Sequence, residues 1–130
     1  MKRILPIAIA VMLAAPTSLF AQNIECKFRN WKGAKTEDAA ISWIGTGFII
    51  DENKMKLKRV FPSGKNSEWH SVSKKETRKF DTYVFYKTDT VEGSKLKTRY
   101  GYRVYKSGKC NAVQSDNKYT PIHADGRTDY

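Results

Sequence analysis

The stretch Leu96-Lys97-Thr98-Arg99-Tyr100-Gly101-Tyr102-Arg103-Val104-Tyr105-Lys106 decides the fold. Leu96, Thr98, Tyr100, Tyr102 and Val104 fall on one parity, and Lys97, Arg99, Gly101, Arg103 and Tyr105 on the other. Side chains of an extended chain point alternately to opposite faces, so this pattern predicts a long half-buried strand with a basic solvent face. No helical period longer than about two turns competes with it anywhere after Ile24.

Working outward, the same kind of run recurs on both sides. Ser107-Gly108 separates the central strand from Lys109–Gln114, and Asp89 to Ser94, with Gly93, separates it from Lys79–Thr88. Further upstream, Glu68–Ser73, Met55–Phe61, Thr46–Asp51 and Ile24–Arg29 complete a set of seven predicted strands. Their connections carry turn chemistry, such as Asp51-Glu52-Asn53-Lys54 and Pro62-Ser63-Gly64-Lys65-Asn66. Short links between strands imply antiparallel neighbours. In Lys54–Phe61 the lysines 54, 56 and 58 alternate with Met55 and Leu57, which marks a second strand with a basic outer face. Tyr83-Val84-Phe85-Tyr86 is apolar on both parities, as in a strand covered on both sides or one that carries an outer aromatic patch.

One segment breaks the strand pattern. Lys35 to Ile41 predicts a short helix near 35–42, with Thr36 as its cap and Glu37 and Asp38 in its first turn, or else an ordered loop. Residues 115–130 are polar, with Pro121, Gly126 and few apolar anchors, and are expected to form an irregular or disordered tail.

Residues 1–21 read as a signal peptide: Lys2 and Arg3 precede the apolar run Ile4 to Ala15, and Ala21 supplies a small residue at the cleavage position. Leu19 is large for the third position before that cut, so cleavage after Ala15 and an uncleaved anchor are the alternatives. Pro6 and Pro16 interrupt the run, and it falls short of the roughly 20 residues that a membrane span needs. The expected product is periplasmic or secreted, with no transmembrane segment after signal cleavage. The expected organisation is a signal peptide at 1–21, a single β-domain at 22–114 and the tail.

Cys26 and Cys110 are the two cysteines, near the two ends of that domain. In an exported chain an even count favours a disulfide, and two cysteines allow one intramolecular pairing. Closing so long a loop is worth up to about 4.5 kcal/mol in the chain-entropy model. Placed on the first and last strands, the pair implies that these strands lie side by side with the sheet curled on itself. The expected fold is therefore all-β: a small antiparallel β-barrel or strongly curved sandwich of about seven strands, clasped by one disulfide.

Composition narrows the function. The 130 residues hold 24 Lys+Arg against 13 Asp+Glu, a formal net charge of +11, in a chain with room for one small domain. Removing residues 1–21 takes away Lys2 and Arg3 and no acid, so a net charge of +9 stays in the domain. Such a surface attracts polyanions in a salt-dependent way. The candidate ligand-binding residues are Lys56, Lys58, Lys97, Arg99 and Arg103, expected to pool on one face. Acids such as Glu68, Glu76, Asp81 and Glu92 interrupt the pattern along the chain.

The expected activity is that of an exported basic binding module without catalysis, whose partner is an anionic macromolecule or a membrane surface: lipid headgroup, polysaccharide, nucleic acid or acidic protein. Two alternatives stand beside it, a secreted enzyme inhibitor and a small ribonuclease-like hydrolase. The hydrolase would use Glu68 and His70 at strand spacing, with Arg78 clamping phosphate. Tyr100-Gly101-Tyr102 within its basic run is similar to an RNA-recognition strand, but it lacks the basic-glycine start, and the βαββαβ order of that domain is absent. Gly45-Thr46-Gly47 has no third glycine and no following helix, so it reads as a place of close backbone approach rather than a phosphate cradle. No catalytic residue, metal or cofactor is assigned, and the two histidines have no third ligand at metal spacing.

Overall fold

The computed structural model describes residues 23–128; the proposed signal peptide lies outside the described residues. Nine antiparallel strands form one sheet: β1 (Asn23–Lys32), β2 (Gly47–Asp51), β3 (Lys56–Val60), β4 (His70–Ser71), β5 (Ser73–Glu76), β6 (Phe80–Val91), β7 (Ser94–Tyr105), β8 (Lys109–Asp116) and β9 (Ile122–Arg127). The short helix α1 (Glu37–Ile44) joins β1 to β2. The strand order is β4-β3-β2-β1-β9-β8-β7-β6-β5. The two edge strands are consecutive in sequence, with Val72 between them. Hence the chain itself carries the sheet from its last strand to its first, and the barrel is nearly closed.

The expected all-β barrel with one disulfide is what forms. Two differences raise the strand number. Glu68–Ser73, read as one strand, divides at Val72: His70–Ser71 pairs with β3 and Ser73–Glu76 with β6. Val72 is buried, and its N–H donates to the Met55 carbonyl, so that donor stays paired where the chain switches partner.

The second difference is a correction. The described part of the expected tail, residues 115–128, is not irregular, because β8 runs on to Asp116 and β9 inserts between β1 and β8. Ile122, Ala124 and Gly126 point inward while His123 and Asp125 point out. The strands that carry the cysteines are consequently not neighbours. Two strand spacings are ordinarily about 9.5 Å, yet the Cys26 and Cys110 Cα atoms stand 6.2 Å apart and are bonded. Gly126 makes this approach feasible: the β1 backbone leans over it so closely that a Cβ there would overlap the Lys27 carbonyl oxygen. A bulge at Arg29, where the β1–β9 register shifts, bends the strand at the same place. A second close approach, at Gly47 against the Cys26 carbonyl, agrees with the reading of the Gly-x-Gly segment.

The barrel interior is filled. Tyr83, Phe85, Tyr100, Tyr102, Phe48, Ile50 and Leu57 are buried with the disulfide. His70, Phe85 and Tyr100 stack nearly parallel, with ring centres 4.1 and 4.5 Å apart in succession. Of the anticipated inward set, Leu96, Thr98, Tyr100 and Tyr102 are buried and Val104 is half-buried. Helix α1 covers the end of the barrel at which β7 begins. Thr36 caps it by accepting from the Ala39 N–H, and Ala40 and Ile44 anchor it to the core.

Candidate functional site

The five basic residues chosen from the sequence fall into two groups. Lys56 and Lys58 lie on β3, and Lys97, Arg99 and Arg103 lie on β7; four strands separate β3 from β7 in the sheet order. They do not pool on one wall. Lys58 Nζ rests 4.6 Å from the ring centre of Trp69, an interaction that engages the β3 cation locally.

The β7 group is the larger. Register pairs Arg103 with Thr82 on one side and Asn111 on the other, Gly101 with Val84 and Val113, and Arg99 with Tyr86 and Ser115. The outer wall of β5 to β9 thus has an apolar trough, Val84-Gly101-Val113, flanked by one arginine row on each side. Arg99 and Arg103 are four residues apart on one strand, about 13 Å along it. Gly101 has no side chain to stand between them, and the Arg99 guanidinium folds into that space. Two shallow surface concavities of about 350 and 450 Å³ meet at Thr82, Arg99 and Arg103, which makes the trough continuous from Lys75 on β5 to His123 on β9. Arg103 lies 4.4 Å over the Phe80 ring, and its hydrogen bond holds the Tyr105 hydroxyl below the ordinary tyrosine value.

Charge segregates by parity across this wall. Lys75, Lys95, Lys97, Arg99, Arg103, Lys109 and Arg127 point outward from β5 to β9, and the one carboxylate among the outward residues is Asp125, which accepts a hydrogen bond from Asn30. Glu76, Asp81, Asp89 and Asp116 sit on the inward parity of the same strands. Of the acids that interrupt the basic pattern along the chain, Glu76 and Asp81 therefore lie on the opposite parity from it, while Glu92 sits in the turn between β6 and β7 near Lys118. Asp81 and Glu76 approach Lys74 instead, at 3.9 and 3.2 Å.

The hydrolase constellation is not assembled. His70 faces the barrel interior against Phe85, whereas Arg78 is exposed in the turn beyond β5. The extended segment 70–76 separates them by about 20 Å at strand rise. Burial and the nearby Arg59 cation lower the His70 pKa, so the ring is neutral at pH 7. Among the described residues no group of three His, Cys, Asp or Glu side chains is placed to hold a metal ion, and no helix is long and apolar enough to cross a membrane.

Sequence reasoning missed the features at the α1 end of the barrel. A cavity of about 490 Å³ opens there between α1 and the ends of β7 to β9, lined by Trp43, Tyr119, Leu96 and Ile122 and also by the charged Lys35 and Asp116. Arg59, 8% exposed, is buried in the barrel, where its Nη1 donates to the Tyr100 hydroxyl at 3.3 Å and the Trp43 carbonyl at 3.5 Å. The only advance sign of this is that Arg59 shares the parity of Leu57 rather than that of Lys56 and Lys58. Comparison of the chain with protein-family models, curated proteins and solved structures found no significant match.

Proposed function

We propose that the domain is an exported, non-catalytic binding module that takes a linear polyanion, best an anionic polysaccharide, along the outer trough of β5 to β9. The observation that carries this reading is the parity of charge: seven outward cations against one outward carboxylate, with the other acids of those strands turned inward. A surface of one sign attracts an oppositely charged chain and holds it through several weak, screened contacts.

The trough favours a polysaccharide over a single-stranded nucleic acid. Binding of single-stranded bases rests on exposed rings for stacking, but Phe80 is covered by Arg103 and packs on the half-buried Tyr105, which leaves Tyr86 as the strongly exposed ring among the described outward residues of this wall. A membrane surface fits less well, because Val84 and Val113 lie in the floor of the trough rather than on a protruding tip.

Retention on heparin at low ionic strength, with elution moving steeply with salt, is the expected result. Parallel measurements with single-stranded DNA and with anionic liposomes should show weaker retention. Passage through the heparin column at low salt rules the proposal out, and tighter binding to DNA or liposomes replaces the polysaccharide with that partner.

A further inference from the structure

Strand β6 leaves an open edge at the seam of the barrel. Strand β5 pairs with it as far as Val84, so from Tyr86 to Thr90 no strand among the described residues lies along that side. The hairpin turn to β7 fixes which groups are left there. Glu92 and Gly93 have φ angles of 52° and 79°, the left-handed values of a two-residue turn, and Val91 and Ser94 face each other across it. The pair that flanks such a turn is hydrogen-bonded, so the odd-numbered residues of β6 bond to β7. The N–H and C=O groups of Tyr86, Thr88 and Thr90 point the other way, as the Val84 carbonyl does where it accepts from the Ser73 hydroxyl. Among the described residues no backbone group reaches these three from the seam side.

Both faces of this stretch are open to solvent. Tyr86, Thr88 and Thr90 are exposed on the outer face, and the side chains of Lys87 and Asp89 on the inner face are 40% and 45% exposed. A bare edge of this kind pairs with another strand unless something blocks it, and a lysine on the edge is one such block. Here Lys87 is followed two residues on by Asp89, with Nζ and Oδ1 3.8 Å apart. Together they make the edge complementary to itself. When two copies pair antiparallel about Thr88, Lys87 of each stands opposite Asp89 of the other, and Tyr86 stands opposite Thr90. Moving the axis by one residue sets Lys87 against Lys87 or Asp89 against Asp89, so charge selects the register.

We propose that the chain forms a symmetric dimer by pairing its β6 edges about Thr88. The occupant of the edge is thus a second copy of the chain. Tyr86, Thr88 and Thr90 are uncharged, so Lys95, Lys97 and Arg99 of both copies come to lie on one outer wall with no carboxylate between them. The two β7 strands are then three strand spacings apart, about 14 Å, against a screening length of about 8 Å at physiological salt. Repulsion between the two basic rows is weak at that distance. An edge of five residues a side is small for an interface, which makes the dimer reversible. The pairing does not depend on what the trough binds, but a linear polyanion laid along the joined wall would meet both copies.

Sedimentation equilibrium of the mature chain at about 0.15 M salt, without polyanion, tests this. The average mass should rise from monomer toward dimer with concentration, and hydrogen exchange at Tyr86, Thr88 and Thr90 should slow in step. Asp89→Lys and Lys87→Asp each set like charges opposite one another and should weaken association roughly tenfold or more. Mixed in equal amounts, the two variants regain opposite charges at both positions and should associate as the parent does. A parent that stays monomeric, association that leaves exchange at the three amides unchanged, or single variants that associate as tightly as the parent overturns the inference. So does a mixture of the two folded variants no tighter than either alone. The mass and exchange of the unaltered chain decide the matter even if a variant does not fold. Heparin retention is measured apart from this, so a monomeric chain leaves the polyanion proposal to its own test.

Discussion

Lys74 Nζ and Glu52 Oε2 lie 2.7 Å apart across the seam of the barrel. Lys74 belongs to the edge strand β5, and Glu52 to the turn between β2 and β3 on the other side of the opening. The Tyr83 hydroxyl donates to the same carboxylate oxygen, also at 2.7 Å. The chain closes one part of the seam covalently at Val72, and this triad closes another through charge.

Glu52→Gln should lower stability by about 1 to 2 kcal/mol, because it removes two charge-assisted hydrogen bonds from a partly buried position. Burial opposes ionisation of Glu52, but the Lys74 and Tyr83 hydrogen bonds outweigh it and hold the carboxyl below its ordinary value of 4.5. Its folded pKa is lower than its unfolded one. Its contribution is therefore complete above about pH 4.5 and lost as pH falls through the folded value. Urea denaturation from pH 7 to pH 3 should show a flatter acid limb in the variant than in the parent.

His70 should titrate below the ordinary value of 6.5, as read from its imidazole resonances by NMR. Burial is the main cause and repulsion by Arg59 the next. Arg59→Met should move the titration upward. A lowered folded pKa means that neutral His70 contributes stability above about pH 6.5, and that this is lost as pH falls through the folded value.

Reduction, or Cys26→Ser with Cys110→Ser, should cost about 3 to 4.5 kcal/mol, since the bond closes a sequence separation of 84 residues. Thermal denaturation with and without reductant measures it.

Gly126→Ala should cost about 3 kcal/mol, close to the effect of losing a strand contact, because the added methyl meets backbone of β1 rather than a side chain that can move. Hydrogen exchange should show the loss concentrated in β1 and β9.

How much of this was legible in advance depended on side-chain size. The alternation from Leu96 to Tyr105 announced β7 because its inward residues are large and its outward ones charged, and Thr36 before Glu37 and Asp38 announced α1. Strand β9 alternates just as regularly, but its inward residues after Ile122 are Ala124 and Gly126, small because β1 and β8 crowd in from both sides toward the disulfide. A hydropathy pattern does not register such a strand. The site was legible in part: Lys97, Arg99 and Arg103 do share a wall, but their separation from Lys56 and Lys58 follows from the strand order, which the insertion of β9 alters. The burial of Arg59 was hidden for a similar reason, since a cation on the apolar parity looks like a simple interruption until the barrel closes around it.

The measurement that tests the central claim most directly compares two paired variants on heparin across a salt gradient. Arg99→Ser with Arg103→Ser removes both arginine rows of the trough, and Lys56→Ser with Lys58→Ser removes the same formal charge from the far wall. If the trough is the binding surface, the arginine pair elutes at much lower salt than the parent, and the lysine pair elutes close to it. Equal shifts for the two variants would mean that retention follows net charge alone, and would contradict the account.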